Sequence, residues 1–232
     1  MRRWWFSIHK WIGLVIGLQI LAWMVSGLYM TFVPIEQVRS EHNIRKTELL
    51  DLRAYSNVVP PAAVATRLIG RVTRLELGEH LGTPVWRADI DGKPAALIDA
   101  RTGVVLSPLN EASARRVAGQ DFAGKGRIAG ATLIAKDPPI EYRGVLPVWQ
   151  LVFDDEGATN LYVSPATGKV LARRSAVWRT FDFLWSLHIM DYQTRDDFNN
   201  WLVIISAAIG LFLTITGIGI LVYRFWPTLK RN

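Results

Sequence analysis

Two apolar stretches decide the fold of this chain: residues 11–33, WIGLVIGLQILAWMVSGLYMTFV, and residues 201–223, WLVIISAAIGLFLTITGIGILVY. Neither contains a charged residue. As an α-helix, each stretch would extend about 35 Å, slightly more than the roughly 30 Å thickness of a hydrocarbon core. The sequence therefore predicts two transmembrane helices with a water-facing segment between them. The first stretch is too long for a cleaved signal peptide and has no small-x-small cleavage site, so we expect a retained anchor.

Basic tails flank both stretches. Residues 1–10 and residues 224–232 each carry three Lys or Arg side chains and no Asp or Glu. Because Lys and Arg beside a membrane helix favour the cytoplasmic side, we expect both tails in the cytoplasm and the middle of the chain outside. The tails hold most of the formal net charge of +7. The basic excess is therefore an anchoring signal, and we expect a lipid bilayer, and no nucleic acid, as a partner.

The segment between the stretches contains an internal repeat, residues 85–109 and residues 148–175. Both copies begin with Val-Trp, alternate apolar and polar residues, and end on Thr-Gly before further apolar residues. A turn interrupts each copy, at Asp91-Gly92 in the first and at residues 155–157 in the second. Because glycine readily adopts the positive φ of a tight hairpin turn, each copy is predicted to be a β-hairpin. The alternative is a sheet protein whose hairpins are alike by chance.

A helix is predicted before each hairpin. Residues 60–68 begin with two prolines and continue with alanines, and residues 110–118 begin with an Asn that can cap a helix. The predicted fold class is an α+β membrane protein, in which two transmembrane helices flank a domain of two lobes, each a helix plus an antiparallel hairpin. The predicted lobes cover residues 34–109 and 110–175, and an amphipathic interfacial segment covers residues 176–200.

Short motifs in three parts of the chain resemble those of a known family. They are IHKWIGL and SGL in the first stretch (residues 8–14 and 26–28), the Thr-Gly-x-Val ends of the hairpins, and Leu187-His188 followed by Trp201 and Thr216-Gly217. In these motifs the chain resembles PepSY-associated transmembrane proteins, and its hairpins resemble PepSY repeats. The resemblance implies a bacterial inner-membrane protein with two periplasmic PepSY-like lobes. Larger relatives include haem-containing ferric-siderophore reductases, which have more membrane helices than this chain.

Four histidines are the candidate ligands for a metal: His9, His42, His80 and His188. His42 lies in a charged run and His80 in a predicted turn, and both are interpreted as solvated loop residues. His9 recurs at a spacing of four with Gly13 and Gly17, small residues that let another helix or a flat macrocycle approach. The alternative for His9 is a histidine at the headgroup level beside a helix-packing face.

His188 belongs to a predicted amphipathic helix with one aromatic side, which comprises Trp178, Phe181, Trp185 and Tyr192. The alternative for this segment is an aromatic anchor that happens to include a histidine. The resemblance implies haem b as the candidate cofactor, with His9 and His188 as candidate iron ligands. In the predicted topology these two histidines lie at opposite membrane faces, about 30 Å apart, so one iron cannot bind both.

A second ligand to the same iron would then come from another copy or another subunit. Ser206, Gly210 and Thr214 recur every four residues in the second apolar stretch, a pattern that favours helix association in lipid. We therefore expect a homo-oligomer or other membrane subunits. The alternative is that this pattern only packs the two predicted helices of one chain against each other.

No catalytic residues are predicted. The chain has no phosphate-binding loop, no His-Glu-x-x-His zinc motif and no nucleophile with an adjacent base. With the resemblance, the sequence indicates a component of a redox or iron-acquisition system of the ferric-siderophore reduction type. By itself the chain is not expected to be an enzyme, although it would serve as a subunit of a haem-dependent reductase. The alternative is a non-catalytic accessory subunit that binds a partner, or a regulator of a periplasmic peptidase.

Overall fold

A computed structural model describes residues 2–46, 52–55 and 57–229 of the chain. The chain forms two compact units, Glu36–Arg179 and a second unit made of Met1–Ile35 and Thr180–Asn232. We call the first the sheet unit and the second the membrane unit. The boundary near residue 180 falls inside a helix, which begins in the sheet unit and ends in the membrane unit.

Along the described residues, three helices precede three strands, and a fourth helix precedes four more strands and two final helices. The helices are α1 Arg2–Phe32, α2 Ile35–Val38, α3 Pro61–Ala65, α4 Glu111–Asp121, α5 Ala176–Ile189 and α6 Trp201–Leu229, with 3₁₀ turns at Glu41–Asn43 and Leu52–Tyr55. The strands are β1 Val72–His80, β2 Thr83–Ile90, β3 Lys93–Asp99, β4 Ile128–Ile134, β5 Val148–Phe153, β6 Asn160–Val163 and β7 Val170–Arg174. All of these strands lie in the sheet unit.

The helices α1 and α6 are long and apolar enough to cross a membrane. Their candidate spans are Lys10–Phe32 and Trp201–Gly219, and only 11% of the residues in each apolar window are buried. Large apolar side chains such as Val15 and Leu211 therefore face outward, where a bilayer would cover them. The prediction of two apolar helices flanking a mixed α+β segment is confirmed.

Within the membrane unit, α1 and α6 pack together at a small residue of α6. A Cβ atom placed on Gly210 would lie 3.7 Å from Ile16 Cγ2 and 3.9 Å from Ile20 Cδ1, so α1 approaches the α6 backbone closely at this point. Ser206, which lies one turn earlier on the same side of α6, is buried, and so is Ile16. This contact supports the interpretation in which Ser206 and Gly210 pack the two helices of one chain.

The sheet unit contains two antiparallel sheets, with strand orders β1-β2-β3 and β4-β5-β6-β7. We call α3 with the first sheet the first lobe, and α4 with the second sheet the second lobe. The β2-β3 hairpin closes at Asp91-Gly92, where both residues have positive φ (52° and 79°). The β5-β6 hairpin has a longer loop, since Val152 pairs with Asn160. Both predicted hairpins are therefore confirmed.

The predicted lobe helices are present, but their ends differ from the prediction. The helix predicted at residues 60–68 is shorter, because α3 covers only Pro61–Ala65. The helix predicted at residues 110–118 is longer, because α4 continues to Asp121 before Phe122 turns to extended backbone (φ −78°, ψ 120°). Asn110 does cap α4, since its side chain accepts a hydrogen bond from Ser113 N at 2.9 Å.

The repeated Thr-Gly sequences form the same turn in both lobes. In the first lobe Asp99 N donates to Val104 O and Gly103 N donates to Asp99 O, both at 2.8 Å. In the second lobe Ser164 and Gly168 repeat this pattern at 2.9 Å. After the turn the lobes diverge. The first lobe makes a single bridge at Val105, whereas the second continues as the full strand β7.

The two lobes share one hydrophobic core. Val85 and Leu97 point from the first sheet into a buried cluster that includes Val117 of α4 and Leu151 and Leu161 of the second sheet. The other side of the first sheet packs against α3 through a smaller cluster, because successive side chains of a strand face opposite ways. The first sheet is therefore covered on both faces, and the lobes form one unit.

The helix α5 ends earlier than the predicted segment of residues 176–200. It stops at Ile189, because Met190 adopts a positive φ of 55°. Tyr192 lies beyond the helix and is half exposed, so the predicted aromatic side does not continue to it. The buried residues of α5 are Asp182, Ser186 and Ile189. Its packed side is therefore more polar than the predicted one.

Candidate functional site

The candidate site surrounds His188 in the membrane unit, where the end of α5 meets α1. The His188 ring is half-buried and lies nearly parallel to the Trp185 ring, with the ring centroids 6.4 Å apart and 10° between the planes. The Trp23 ring from α1 lies at the same distance, tilted by 51°. The imidazole is thus held between two indoles, one from its own helix and one from α1.

Side-chain donors from neighbouring helices cap the end of α5. Gln19 Nε2 donates to Leu187 O at 3.2 Å, and Trp23 Nε1 donates to His188 O at 2.7 Å. Asn200, just before α6, donates through Nδ2 to Ile189 O at 2.8 Å. The last four carbonyls of a helix lack partners inside the helix, and an unpaired carbonyl away from water is costly. These three donors therefore fix the end of α5, and with it the backbone that carries His188.

The two ring nitrogens of His188 differ in their surroundings. Nδ1 lies 3.0 Å from the hydroxyl oxygen of Ser26, a residue of α1 that is fully buried. The same hydroxyl lies 3.1 Å from Trp23 O and donates to it. Nε2 has no hydrogen-bond partner among the residues that the structure describes. One nitrogen of the ring is therefore engaged by the protein, and the other is unpaired among the described residues.

The connection from α5 to α6 is held by two carboxylates. Asp182 forms a 2.7 Å ion pair with Arg195, and both side chains are largely shielded from water. Asp191 accepts hydrogen bonds from the Thr194 hydroxyl and from the backbone N–H groups of Gln193, Thr194, Asp196 and Asp197. The hydroxyl bond, followed by the backbone N–H bonds, lowers the pKa of the Asp191 carboxyl well below its usual range. The connection is thus built as an ordered turn beside the site.

The structure separates the predicted helix-packing residues into two groups. Ser206 and Gly210 face α1, as described above. Gly13 and Gly17 do not contact α6, since a Cβ atom on either would meet no atom within 4 Å among the described residues. Thr214 is exposed, and its hydroxyl donates to Gly210 O at 2.8 Å within α6. An association of chains through Gly13 and Gly17 stays a prediction.

The two predicted iron ligands lie at different levels of α1. His9 belongs to α1, and its side chain lies outside the described residues. Ser26, the partner of His188, follows His9 by 17 positions, which is roughly 25 Å along a helix axis. His188 is therefore far from His9 along α1, and the site described here contains one of the two predicted ligands.

Three residues of this site were not predicted as site residues: Gln19, Trp23 and Ser26, the last of which was noted only as part of the SGL motif. They lie four and three positions apart, so all three share one side of α1. A polar amide and a hydroxyl on one side of an apolar helix are a usable signal, because polar groups inside a membrane helix generally face a protein partner. Their partner lies more than 160 residues away in the sequence and could not be identified from the sequence alone.

The donor set around His188 suits an axial haem ligand better than a bare metal ion. Among the described residues, no three His, Asp or Glu side chains come together as a metal site would require. Haem iron needs only one or two axial side chains, because the porphyrin supplies the other ligands. A single imidazole with its Nδ1 held and its Nε2 unpaired therefore fits a haem and does not fit a zinc or calcium site.

His80 differs from its prediction as a solvated turn residue. It is the last residue of β1 and is buried, because the turn lies one residue later, at Leu81-Gly82 (φ 54° and 79°). A Cβ atom on Gly168 would lie only 2.6 Å from His80 Nδ1, so the ring packs directly on the Thr-Gly turn of the second lobe. Burial, reinforced by the charges of Arg87 and Arg116, lowers the pKa of His80.

A groove of about 530 Å³ lies between the lobes inside the sheet unit. Its apolar lining includes Pro94, Val105, Pro108, Leu146, Pro147 and Leu171. Three of the charged side chains along it form ion pairs, since Glu76 contacts Arg74 at 3.0 Å and Lys169 at 3.4 Å. Arg87 is also occupied, because its Nε donates to Thr167 O at 3.3 Å. The groove has the size of a ligand site, but four of the charged side chains that line it, Arg74, Glu76, Arg87 and Lys169, already contact other groups of the protein.

A family model described as the PepSY-associated TM region matches residues 6–232 of the chain. The match covers nearly the whole sequence, so the chain belongs to this family. The resemblance seen in the sequence motifs is thereby confirmed. No curated protein and no solved structure shows a significant match to the chain.

Proposed function

We propose that this member of the PepSY-associated transmembrane family is a haem-binding component of a membrane redox or iron-acquisition system, of the ferric-siderophore reduction type. In this proposal His188 is an axial ligand of haem b. The observation that supports it is the His188 imidazole, whose Nδ1 is held by Ser26 and whose Nε2 has no partner among the described residues. When bound, haem b supplies one-electron exchange between ferric and ferrous iron.

The chain contributes position and surroundings for this chemistry. Gln19, Trp23 and Asn200 bind carbonyl groups at the end of α5. A shift of the His188 backbone would therefore break at least one of these hydrogen bonds. The indoles of Trp23 and Trp185 restrict the imidazole plane and lower the local polarity. Burial and ligand orientation are the two means by which a protein sets the potential of a haem.

The site supplies one imidazole, so the proposed haem needs a second ligand from a second copy or another subunit if it is bound by two histidines. His9 lies too far along α1 to serve the same iron. It is proposed as the ligand of a separate haem near the other membrane face. The chain therefore acts as part of an assembly and not as a self-contained reductase.

An absorption spectrum of the full chain, expressed with ample haem and purified in mild detergent, tests the proposal. We expect a Soret band that sharpens on dithionite reduction. In His188→Ala the Soret band should weaken, because the haem bound at His188 is lost. In the matched control His42→Ala it should remain unchanged, since His42 is exposed in the sheet unit. The variant His9→Ala reports on the second proposed ligand. A folded, colourless wild-type protein, or an unchanged His188→Ala spectrum, would contradict the proposal.

The proposed location is the bacterial inner membrane, with both tails cytoplasmic and the sheet unit periplasmic. The support is the distribution of Lys and Arg beside the two spans. The chain contains no cysteine, so a single introduced cysteine gives a clean label. We expect a membrane-impermeant maleimide to label Lys125→Cys in spheroplasts and to label Asn232→Cys only after lysis. The reverse pattern would show the opposite orientation.

A second candidate function is a non-catalytic accessory subunit. The groove between the lobes favours it, because a lining of proline, valine and leucine side chains suits an apolar segment of a partner. Cross-linking from a photoreactive residue at Val145, which is 70% exposed at the groove, would identify such a partner. A cross-link that appears in the wild-type background and also in His188→Ala would favour this function over the haem proposal.

A further inference from the structure

We infer that Ser26 is a positioning residue, which holds His188 in the tautomer protonated at Nδ1 and so leaves the Nε2 lone pair available for iron. The inference deepens the proposed function and rests on it for the role of the lone pair. The tautomer itself is a property of the chain without any cofactor. It can therefore be tested separately from haem binding.

Two arrangements of protons are compatible with the distances around Ser26. In the first, the Ser26 hydroxyl donates to Trp23 O at 3.1 Å and accepts from His188 Nδ1–H at 3.0 Å. In the second, the hydroxyl donates to His188 Nδ1, and the ring carries its proton on Nε2. A serine hydroxyl has one proton and two lone pairs, so it cannot donate in both directions at once.

The first arrangement makes more hydrogen bonds. It satisfies the hydroxyl proton and the imidazole N–H together, and it leaves only a bare acceptor at Nε2. The second uses the hydroxyl proton on the ring and leaves an N–H donor at Nε2 with no partner among the described residues. Serine inside a helix also commonly donates to a carbonyl three or four positions earlier, which here is Trp23 O. The first arrangement forms two hydrogen bonds within the protein and the second forms one, so the first arrangement is preferred.

Other groups near the ring do not compete with Ser26 for Nδ1. The only polar hydrogen of the Trp23 indole is committed to His188 O at 2.7 Å. Gln19 donates to Leu187 O at 3.2 Å. Because Ser26 is fully buried, water does not replace its hydroxyl. The single hydroxyl of Ser26 therefore decides which ring nitrogen carries the proton.

The first experiment uses haem-free full-length protein with ¹⁵N-labelled histidine rings. The ring nitrogen shifts of His188, assigned by their loss in His188→Ala, report its tautomer. We expect the Nδ1–H form in the wild type and in the matched control Ser206→Ala, a buried hydroxyl on α6. In Ser26→Ala we expect a mixture of both tautomers. A wild-type Nε2–H form, or an unchanged tautomer in Ser26→Ala, would overturn the inference whatever the protein binds.

The second experiment measures haem affinity and midpoint potential. Loss of a partner that orients a ligand typically lowers affinity by about 10- to 100-fold, and we expect this loss in Ser26→Ala. We also expect a more positive midpoint potential, because an imidazole without an acceptor at Nδ1–H is a weaker electron donor. Ser206→Ala should match the wild type in both measurements.

The outcomes of the two experiments distinguish the two ideas. If His188→Ala loses the haem signal but Ser26→Ala keeps wild-type affinity and potential, the role of Ser26 is wrong and the proposed function stands. If neither the wild type nor any variant binds haem, the proposed function is wrong. The nitrogen shifts then decide the tautomer of His188 by themselves.

Discussion

His188 in the membrane unit is half-buried and His80 in the sheet unit is buried, but the two histidines differ more in their neighbours than in their exposure. His188 lies beside a hydroxyl, two indoles and a capped helix end. His80 lies near Arg87 and Arg116 and packs on the backbone of Gly168. The first environment orients an imidazole and leaves one nitrogen unpaired. The second environment only keeps an imidazole neutral where the first lobe packs against the second.

The difference shows that burial alone does not identify a ligand. At His80 the neighbouring positive charges would oppose a bound cation, whereas at His188 the neighbours are neutral and one of them accepts from the ring.

The largest expected effect is at Gly168. The substitution Gly168→Ala places a Cβ atom 2.6 Å from His80 Nδ1, at a φ of +67° that favours glycine. We expect a loss of about 3 kcal/mol in the free energy of unfolding, from backbone strain and overpacking together. Denaturation of the full chain in detergent, followed by tryptophan fluorescence, measures it.

A matched control separates the clash from the strain. Gly92 has a φ of +79° but no atom within 4 Å of its Cβ position, so Gly92→Ala should cost only about 1 kcal/mol. The double variant His80→Ala with Gly168→Ala should lose less stability than the two single variants together, because the clash partner is gone. Strict additivity would show that His80 and Gly168 are not in contact.

The next effect is at the capped end of α5. The substitution Trp23→Phe keeps an aromatic ring but removes the donor to His188 O. We expect a local loss of about 2 kcal/mol, since a carbonyl shielded from water is left unpaired. Faster hydrogen exchange in residues 185–200 measures it. The control Trp11→Phe, at an exposed indole of the same helix, should leave this exchange unchanged.

A smaller effect is the pH dependence that His80 confers. Its pKa is lowered in the folded protein, so the unfolded chain binds a proton more readily. The contribution of His80 to the free energy of unfolding is therefore fully present above about pH 6.5. It falls as the pH drops below that value, by at most about 1.4 kcal/mol per pH unit for one proton. Unfolding midpoints between pH 7.5 and pH 5 measure this slope.

The pH effect has its own control. His80→Gln should flatten the part of the slope below pH 6.5, whereas His42→Gln at an exposed position should retain it. An unchanged slope in His80→Gln would mean that other groups cause the acid sensitivity. The comparison of the two histidines would then rest on geometry alone.

The smallest effect is expected at the contact between α1 and α6. Gly210→Ala adds a Cβ atom at ordinary van der Waals distances of 3.7 and 3.9 Å from Ile16 and Ile20. We expect a stability change within about 0.5 kcal/mol, measured by thermal unfolding in detergent. Gly210→Leu should lower stability clearly, and a tolerated leucine would show that the helices do not approach closely at this point.

Sequence reasoning succeeded where the signal was local. The charge-free stretches predicted α1 and α6, and Asp91-Gly92 predicted the first hairpin, because length, apolarity and positive φ are properties of adjacent residues. It failed where a residue other than glycine adopts positive φ. Leu81 ends β1 and Met190 ends α5 in this way, and neither residue type signals a turn. Because Met190 gives no turn signal, Tyr192 was placed on a helix. Because Gly78 and Gly82 bracket His80, the whole of residues 78–82 was placed in a turn that in fact begins at Leu81.

The candidate site was only partly predictable for a related reason. His188 was named from a short motif, but its partners on α1 come from the other end of the chain. The pairing depends on which side of α1 meets α5, and periodicity within either segment does not determine that. The spacing of Gln19, Trp23 and Ser26 indicates only that some polar partner exists.

The capped end of α5 has a consequence for biogenesis. Gln19 enters the membrane with α1, yet the carbonyl it serves is synthesised 168 residues later. During that interval the amide of Gln19 and the indole of Trp23 have no native acceptor on α5. The first helix is thus not an interchangeable leader. Replacement of α1 by a generic hydrophobic anchor would still deliver the chain to the membrane. The end of α5 would then lack the hydrogen bonds from Gln19 and Trp23.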